Sequence, residues 1–92
     1  MKIKVKFFAT FRELFGAEVK EIELGNGSNI QGLLELLCDS RQRCQKILDH
    51  SDKLKPYIKI LKNGRHIEFL NGIYTELEGG DVVAMFPPVG GG

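Results

Sequence analysis

The chain opens with a strict alternation of charged and apolar side chains. From residue 2 onward the order is Lys2, Ile3, Lys4, Val5, Lys6 and Phe7. A period of two is typical of a strand that buries one face and exposes the other. We therefore predict a strand over residues 2–8, with Phe8 on the same side as the lysines.

The pattern that follows predicts a second strand and a helix. Residues 18–24 have the pattern of a strand, and we interpret the short stretch of residues 9–16 as the loop of a hairpin. Ser28 and Gln31 then have the spacing of a capping box. Apolar residues follow at helical spacing: Ile30, Leu33, Leu34 and Leu37. This stripe predicts the main helix, which begins at the capping box.

The second half of the chain predicts three more strands. Residues 57–61 are rich in β-branched and aromatic side chains. Asn63-Gly64 is the preferred sequence of a type I′ hairpin turn, which predicts a return strand through residues 66–69. Residues 82–86 are apolar on both sides and predict a central strand.

The polar segment of residues 39–55 separates the main helix from these strands. It predicts either a second short helix or a solvated extension of the first, closed by Pro56 because proline cannot continue a helix. The whole order of elements implies an α+β domain with one mixed sheet wrapped around one main helix. The β-grasp architecture fits that order, with a domain over residues 1–86 and a flexible tail over residues 87–92.

Composition and charge narrow the classes of function. A chain of 92 residues with 42% hydrophobic side chains can bury one core without metal or disulfide. Thirteen Lys and Arg residues against twelve Asp and Glu leave a net charge of +1, which does not favour a nucleic-acid partner. Lysines interrupt the apolar positions of the N-terminus, so we expect no secretory signal, no membrane partner and a cytoplasmic location.

Two cysteines flank the start of the polar segment. The six-residue spacing of Cys38 and Cys44 matches neither a redox motif nor a zinc site. On one continuous helix the two would lie about 120° apart, so a disulfide between them would require a break in the helix. We expect Cys38 to be a small buried hydrophobe and Cys44 to be a free or half-exposed thiol.

The sequence shows no pattern of catalytic residues. His50 and His66 have no nucleophile or acid at a meaningful spacing, which predicts solvated or turn-flanking histidines and no metal site. The sequence has no Gly-x-x-x-x-Gly-Lys-Ser/Thr loop, so any ATP chemistry must be supplied by another protein. We expect no bound cofactor.

The C-terminal segment is the most informative part of the sequence. After Phe86 it runs Pro87, Pro88, Val89, Gly90, Gly91 and Gly92. The prolines direct the chain away from the domain, and the glycines present a narrow backbone that can extend on the order of 20 Å. The pattern favours a tail that carries a terminal carboxylate into a partner's active site; the alternative is an ordinary frayed terminus.

A partner-binding patch is predicted beside the root of this tail. If the first and last strands are neighbours, Phe8 and Phe86 form an aromatic pair flanked by Lys4 and Lys6. The alternative is that a twist turns Phe8 into the core. Arg12-Glu13 either fixes the first loop by ion pairing or contacts the partner.

Three stretches resemble the small subunit of molybdopterin synthase, within the ubiquitin-like sulfur-carrier family. They are residues 4–9 with Arg12-Glu13-Leu14, the Asn63-Gly64 turn, and residues 80–92. The Phe-Pro-Pro-Val-x-Gly-Gly ending is the specific part, because a bare Gly-Gly end also occurs in ubiquitin-like modifiers and in the thiamine-pathway carrier. Two features depart from the family: Gly90 replaces a small non-glycine residue, and residues 39–55 exceed the common length.

The resemblance implies the chemistry of the tail. A ubiquitin-activating-like adenylyltransferase would use ATP to adenylate Gly92, which is then converted to a thiocarboxylate. The tail, carrying sulfur as this thiocarboxylate, would enter the large subunit of molybdopterin synthase and donate the sulfur to build the dithiolene of the molybdenum or tungsten cofactor. By this resemblance the protein is the small, non-catalytic subunit, in which Gly90 and Gly91 provide clearance and residues 87–89 aim the tail.

Two other classes of function compete with the sulfur carrier. A ubiquitin-like modifier would use the same adenylate but end in an isopeptide bond between Gly92 and a lysine of a target protein. A β-grasp interaction module would carry an inert tail and would keep its activity after deletion of the last two glycines.

Overall fold

Five strands form a single mixed sheet in the computed structural model, which describes residues 1–88. The strands are β1 (Lys2–Phe7), β2 (Val19–Glu23), β3 (Lys59–Lys62), β4 (Arg65–His66) and β5 (Val82–Phe86). Their order across the sheet is β2-β1-β5-β3-β4. β5 pairs parallel with β1 and antiparallel with β3, so it is the central strand, as predicted.

Helices cover one face of this sheet. They are α1 (Thr10–Phe15), α2 (Ile30–Leu37), α3 (Arg41–Ile47) and two 3₁₀ turns, Ile67–Phe69 and Gly72–Tyr74. All four apolar positions predicted on the main helix are buried in α2. The inward residues of β1 and β5 are buried with them: Ile3, Val5, Phe7, Val83 and Met85. The prediction of an α+β domain around one main helix is therefore confirmed.

The prediction of a loop over residues 9–16 is wrong, because α1 occupies most of it. Phe11 and Phe15 lie four residues apart and are both buried, so one turn of helix places both rings in the core. Phe15 stacks on Phe7 with ring centroids 4.4 Å apart. The helix ends at Gly16, whose φ of 70° is the left-handed conformation that glycine adopts at little cost.

The predicted capping box also requires correction. The N-cap of α2 is Asn29, whose side-chain oxygen accepts a hydrogen bond of 2.9 Å from the Gly32 N–H. The hydroxyl of Ser28 instead donates to the Gly25 carbonyl. Asparagine and serine are about equally good N-caps, so the spacing alone could not separate adjacent candidates.

The polar segment forms the second short helix, one of the two predicted outcomes. Ser40 is the N-cap of α3, with its hydroxyl accepting from the Arg43 N–H, and Ile47 is buried at the other end. The helix ends at Ile47, so Pro56 does not terminate it, contrary to the prediction. The chain between them closes on itself through a bridge of Leu48 with Leu54.

The predicted β3–β4 hairpin is shorter than expected. Asn63 and Gly64 both have positive φ, 49° and 86°, as a type I′ turn requires. The return strand ends at His66, however, and the next residues form a 3₁₀ turn that buries Ile67. β3 also begins two residues later than predicted, because Tyr57 has a φ of 70° and is 82% exposed.

A buried carboxylate ties this hairpin to the start of β5. The carboxylate of Asp81 accepts hydrogen bonds from the Glu78 N–H at 2.7 Å and the Asn63 amide at 2.9 Å, and lies 3.6 Å from the Lys62 ammonium. Asn63 in turn accepts from the Val82 N–H. Burial opposes ionisation of Asp81, but the hydrogen bonds and the ammonium outweigh it, so the pKa of this carboxyl lies below its ordinary value.

Replacement of Asp81 by asparagine should therefore destabilise the fold in a pH-dependent manner. At pH 7 we expect Asp81→Asn to lower the free energy of unfolding by about 1–3 kcal/mol, because an amide faces the donors of Glu78 and Asn63. A carboxyl whose pKa is lowered by folding stabilises the folded state at pH values above its unfolded pKa near 3.8. This contribution is lost as the pH falls further. Urea unfolding of Asp81→Asn and of the parent protein should show that the difference between their free energies of unfolding narrows below pH 4.

The exposed carboxylate of Glu68 provides a matched control for this comparison. Glu68→Gln should unfold like the parent protein at every pH. A gap between Asp81→Asn and the parent that stayed constant from pH 7 to pH 2.5 would contradict the role of ionised Asp81.

Candidate functional site

The end of β5 determines where the chain leaves the sheet. Lys59 is the register partner of Phe86 on one side, and on the other side the Phe8 N–H donates to the Met85 carbonyl over 3.2 Å. The strand is therefore held by both neighbours at its last residues. Residues 87–88 continue from it, the first half-buried and the second exposed.

Phe8 and Phe86 form a stacked aromatic pair at this point. Their ring centroids are 4.3 Å apart and their planes differ by 11°. The parallel register pairs Lys6 with Ala84, so the residues two positions further on lie side by side on the same face. Both rings are half-buried. The predicted adjacency is confirmed, and the alternative that Phe8 turns into the core is wrong.

Arg12 of α1 extends this aromatic pair. Its guanidinium carbon lies 5.6 Å from the centroid of the Phe8 ring, within the range of a cation–π contact. Its Nε donates to the Phe7 carbonyl at 3.1 Å, and another guanidinium nitrogen lies 3.7 Å from the Glu18 carboxylate. The ion-pair partner of Arg12 is thus Glu18, and the adjacent Glu13 is not the carboxylate that it contacts in the described structure.

Lys4 and Lys6 are both exposed on the outer face of β1, but their neighbours differ. Lys4 is opposite Glu21 of β2, whereas Lys6 is opposite Val19 on that side and Ala84 on the other. Opposite charges facing each other across two strands attract, which partly neutralises Lys4. Lys6, nearer to the aromatic pair, therefore contributes more of the positive charge of this surface.

Three contributors to this surface were not predicted from the sequence: Lys59, Leu61 and Ala84. Lys59 is exposed and lies beside Phe86, and the outward side chain of Leu61 lies beside Ala84. Together with the residues above they form what we call the tail-root face: Phe8, Phe86, Ala84, Leu61, Lys6 and Lys59. The signal that could have found them is the period-two pattern of β3, combined with its register against β5.

The other candidate residues lie apart from this face. His66 caps a 3₁₀ turn by accepting a hydrogen bond from the Glu68 N–H at 3.1 Å, and His50 is exposed, as predicted for turn-flanking and solvated histidines. Cys38 and Cys44 are both half-buried, so Cys38 is less buried than predicted. The remaining tail residues of the prediction lie outside the described residues: Val89, Gly90, Gly91 and Gly92.

Residues 1–88 contain neither a cluster of metal ligands nor a membrane-spanning helix. Within that part of the chain, no cluster of three or more His, Cys, Asp or Glu side chains could hold a metal ion. None of its helices is long and apolar enough to cross a membrane.

A mixed sheet with its last strand in the centre, wrapped around one main helix, defines a ubiquitin-like β-grasp domain, and this confirms the predicted architecture. The tail-root face lies where that central strand ends. The family model of the ThiS family matches residues 5–92, and the chain belongs to this family of ubiquitin-like sulfur carriers.

Individual relatives include both modifiers and a cofactor-related protein. The chain is 35% identical to small archaeal modifier protein 3 of Haloferax volcanii over 92 residues, all of both chains. It is 34% identical to a Pyrococcus furiosus protein described as a molybdopterin converting factor, subunit 1; the match covers 97% of this chain and 99% of that one, with a TM-score of 0.75. The crystal structure of SAMP1 from Haloferax volcanii superposes with a TM-score of 0.86 over the full length of both chains, and at 22% identity this likeness shows the fold alone.

Proposed function

We propose that this protein is a sulfur carrier whose C-terminal glycine is adenylated and converted to a thiocarboxylate that donates sulfur in molybdopterin synthesis. One observation carries the proposal: the central strand delivers Pro87 and Pro88 directly beside the tail-root face. Membership of the ThiS family and the likeness to a molybdopterin converting factor subunit support it.

The proposed chemistry is confined to the carboxylate of Gly92. A carboxylate is a poor acyl donor because its negative charge is delocalised. Attack of this carboxylate on the α-phosphate of ATP would release pyrophosphate and form an acyl-adenylate. A sulfur nucleophile would then attack the carbonyl carbon and displace AMP, which leaves sulfur on the glycine.

The catalytic groups for these steps belong to partner proteins. Activation is assigned to a ubiquitin-activating-like adenylyltransferase, and acceptance of sulfur to the large subunit of molybdopterin synthase. The chain itself contributes the carried group and a docking surface, and it acts as the small, non-catalytic subunit of that complex.

The tail-root face has the chemistry of a docking surface. Stacked aromatic rings at the centre provide apolar area that is already ordered, so little side-chain entropy is lost on binding. Lys6 and Lys59 surround the rings and favour a partner with acidic residues around an apolar pocket. A partner that covers this face would be positioned to receive the tail.

Incubation with a cognate adenylyltransferase, ATP and a sulfur donor should convert the protein to its thiocarboxylate. The expected intact mass rises by the difference between one sulfur and one oxygen, and fragmentation should place the change on Gly92. A form with one alanine added after Gly92 should not be converted, because its carboxylate lies one residue beyond the position that the partner can reach.

A substitution in the folded domain controls for a change made away from the C-terminal carboxylate. A side chain at Gly79 would meet the Met1 side chain at an ordinary 3.7 Å, so Gly79→Ala should be converted like the parent protein. Conversion of the alanine-extended form at the parent rate would refute the proposal.

Truncation of Phe8 should weaken docking to the adenylyltransferase. At limiting concentrations we expect Phe8→Ala to reduce the kcat/KM of thiocarboxylate formation at least about fivefold, because truncating an aromatic at the centre of an interface costs more than about 1 kcal/mol. Phe69→Ala is the matched control, since Phe69 is 86% exposed and lies on a 3₁₀ turn outside the tail-root face. Equal rates for the two variants would argue against docking at this face.

Protein modification through Gly92 is the second candidate function, and one specific observation favours it. The full-length relative with 35% identity is named a modifier protein. The adenylate is common to both functions; they differ in whether sulfur or a lysine amine attacks it. The same docking face would serve either outcome.

Isolation of the protein from its native cells should separate the two functions. The sequence has no Lys or Arg after Arg65, so trypsin would leave residues 66–92 as a branch on any modified lysine. We expect the thiocarboxylate mass on the free protein and no such branched peptides in the proteome. Abundant branched peptides without any thiocarboxylate would instead establish the modifier.

A further inference from the structure

The two cysteines lie on either side of the junction between α2 and α3. Cys38 is the C-cap residue of α2, where ψ turns to 59°, and Cys44 lies in the first turns of α3. The helical path is therefore broken between them, which is the condition that a bond between the two sulfurs requires. The two side chains are close enough for Cys44 to affect the ionisation of Cys38.

Both thiols line one cavity of about 320 Å³. Leu34, Leu48 and Ile73 form part of its apolar wall, and Asp52 lies at the same cavity. Both cysteines are free and only half-buried, so a small reagent can approach them from the surface. The pair thus combines a shared cavity with access from outside.

Arg43 fixes the turn that separates the cysteines. Its guanidinium donates to both carboxylate oxygens of Asp39, at 2.8 and 3.0 Å, and its Nε donates to the Leu14 carbonyl at 3.1 Å. The guanidinium carbon also lies 5.3 Å from the centroid of the Phe15 ring. These contacts hold the turn between the two cysteines against α1 while both thiols are free.

We propose that Cys38 and Cys44 are a modification site, at which a low-molecular-weight disulfide converts the dithiol into an intramolecular disulfide that clamps α2 to α3. One cysteine thiolate attacks the reagent R–S–S–R, its S–S bond breaks, and one R–S⁻ leaves. The second cysteine thiolate attacks the resulting mixed disulfide and expels the other R–S⁻. The two leaving thiolates take up the two protons, so the protein is oxidised by two electrons and the reagent is reduced to two R–SH.

The surroundings of Cys38 suit a slow, persistent modification. Burial, the neighbouring Cys44 thiol and the nearby carboxylates of Asp52 and Asp39 raise the pKa of the Cys38 thiol to about 12. Little of it is ionised near neutral pH, so it is a weak nucleophile towards most reagents. For the same reason Cys38 is a poor leaving group, and a disulfide that contains it resists reduction.

Treatment of the reduced protein with bis(2-hydroxyethyl) disulfide tests this proposal. After quenching with N-ethylmaleimide, the expected product is a monomer that has lost two hydrogen atoms and carries no adduct. Because Arg41 and Arg43 lie between the cysteines, trypsin without reductant should release residues 21–41 joined to residues 44–46. The thermal midpoint should rise by at least about 5 °C, since a closed loop restricts the unfolded chain.

Single substitutions supply the controls. Cys38→Ser should end as a mixed disulfide at Cys44, whereas Cys44→Ser should form its mixed disulfide at the weakly nucleophilic Cys38 more slowly. Neither variant should show a rise in the thermal midpoint. Parent protein that ends with two reagent adducts, as a disulfide-linked dimer, or with both thiols still free would overturn the proposal. These readouts do not involve Gly92 or the activating enzyme, so they are independent of the proposed function.

Discussion

The parallel pairing of β1 with β5 is the constraint on which the rest of this molecule depends. It joins residues near opposite ends of the chain, with Lys4 opposite Val82 and Phe7 opposite Met85. Non-local pairing of this kind carries a large loop-closure cost, which is offset only when the inward side chains are buried together. The same register that buries Val83 and Met85 places Phe86 against Phe8 on the other face. The register of β1 against β5 thus arranges the core on one face of the sheet and the candidate site on the other.

Side-chain contacts at both ends of the β1–β5 pair stabilise its register. Asp81, just before β5, is held by donors from the preceding turn and from the β3–β4 hairpin, so the strand enters the sheet in one register. At the far end, Arg12 reaches from α1 to the carbonyl of Phe7 and over the ring of Phe8. A slip by one residue would exchange the two faces of β5 and break the polar contacts as well. The direction in which the chain leaves the domain is therefore set by several interactions of different kinds.

Much of this arrangement was predictable from sequence because it rests on strong periodic signals. The alternation in β1 and the helical spacing in α2 report directly which side chains face the core, and the adjacency of Phe8 and Phe86 follows from the β-grasp order. Local sequence patterns did not predict the elements that form because of tertiary packing. One of these is α1, which is only six residues long and exists because Phe11 and Phe15 reach the core. The early end of the hairpin has the same origin, since Ile67 is buried by a 3₁₀ turn and not by a longer strand. The contact of Arg12 with Glu18 could not be read from a sequence in which Glu13 is adjacent.

The likeness to both carriers and modifiers has a physical reason. Both functions require the same first half of the chemistry, in which a thin backbone is delivered from a rigid sheet to an enzyme that makes an adenylate. That requirement constrains the central strand, the prolines after it and the face beside them, but it places no demand on what attacks the adenylate afterwards. The sulfur nucleophile or the amine belongs to a partner, so the features that separate the two functions lie at surfaces that select partners. On this chain the exposed lysines beside the aromatic pair are free to vary for such selection, because the buried core is occupied in holding β1 and β5 in register.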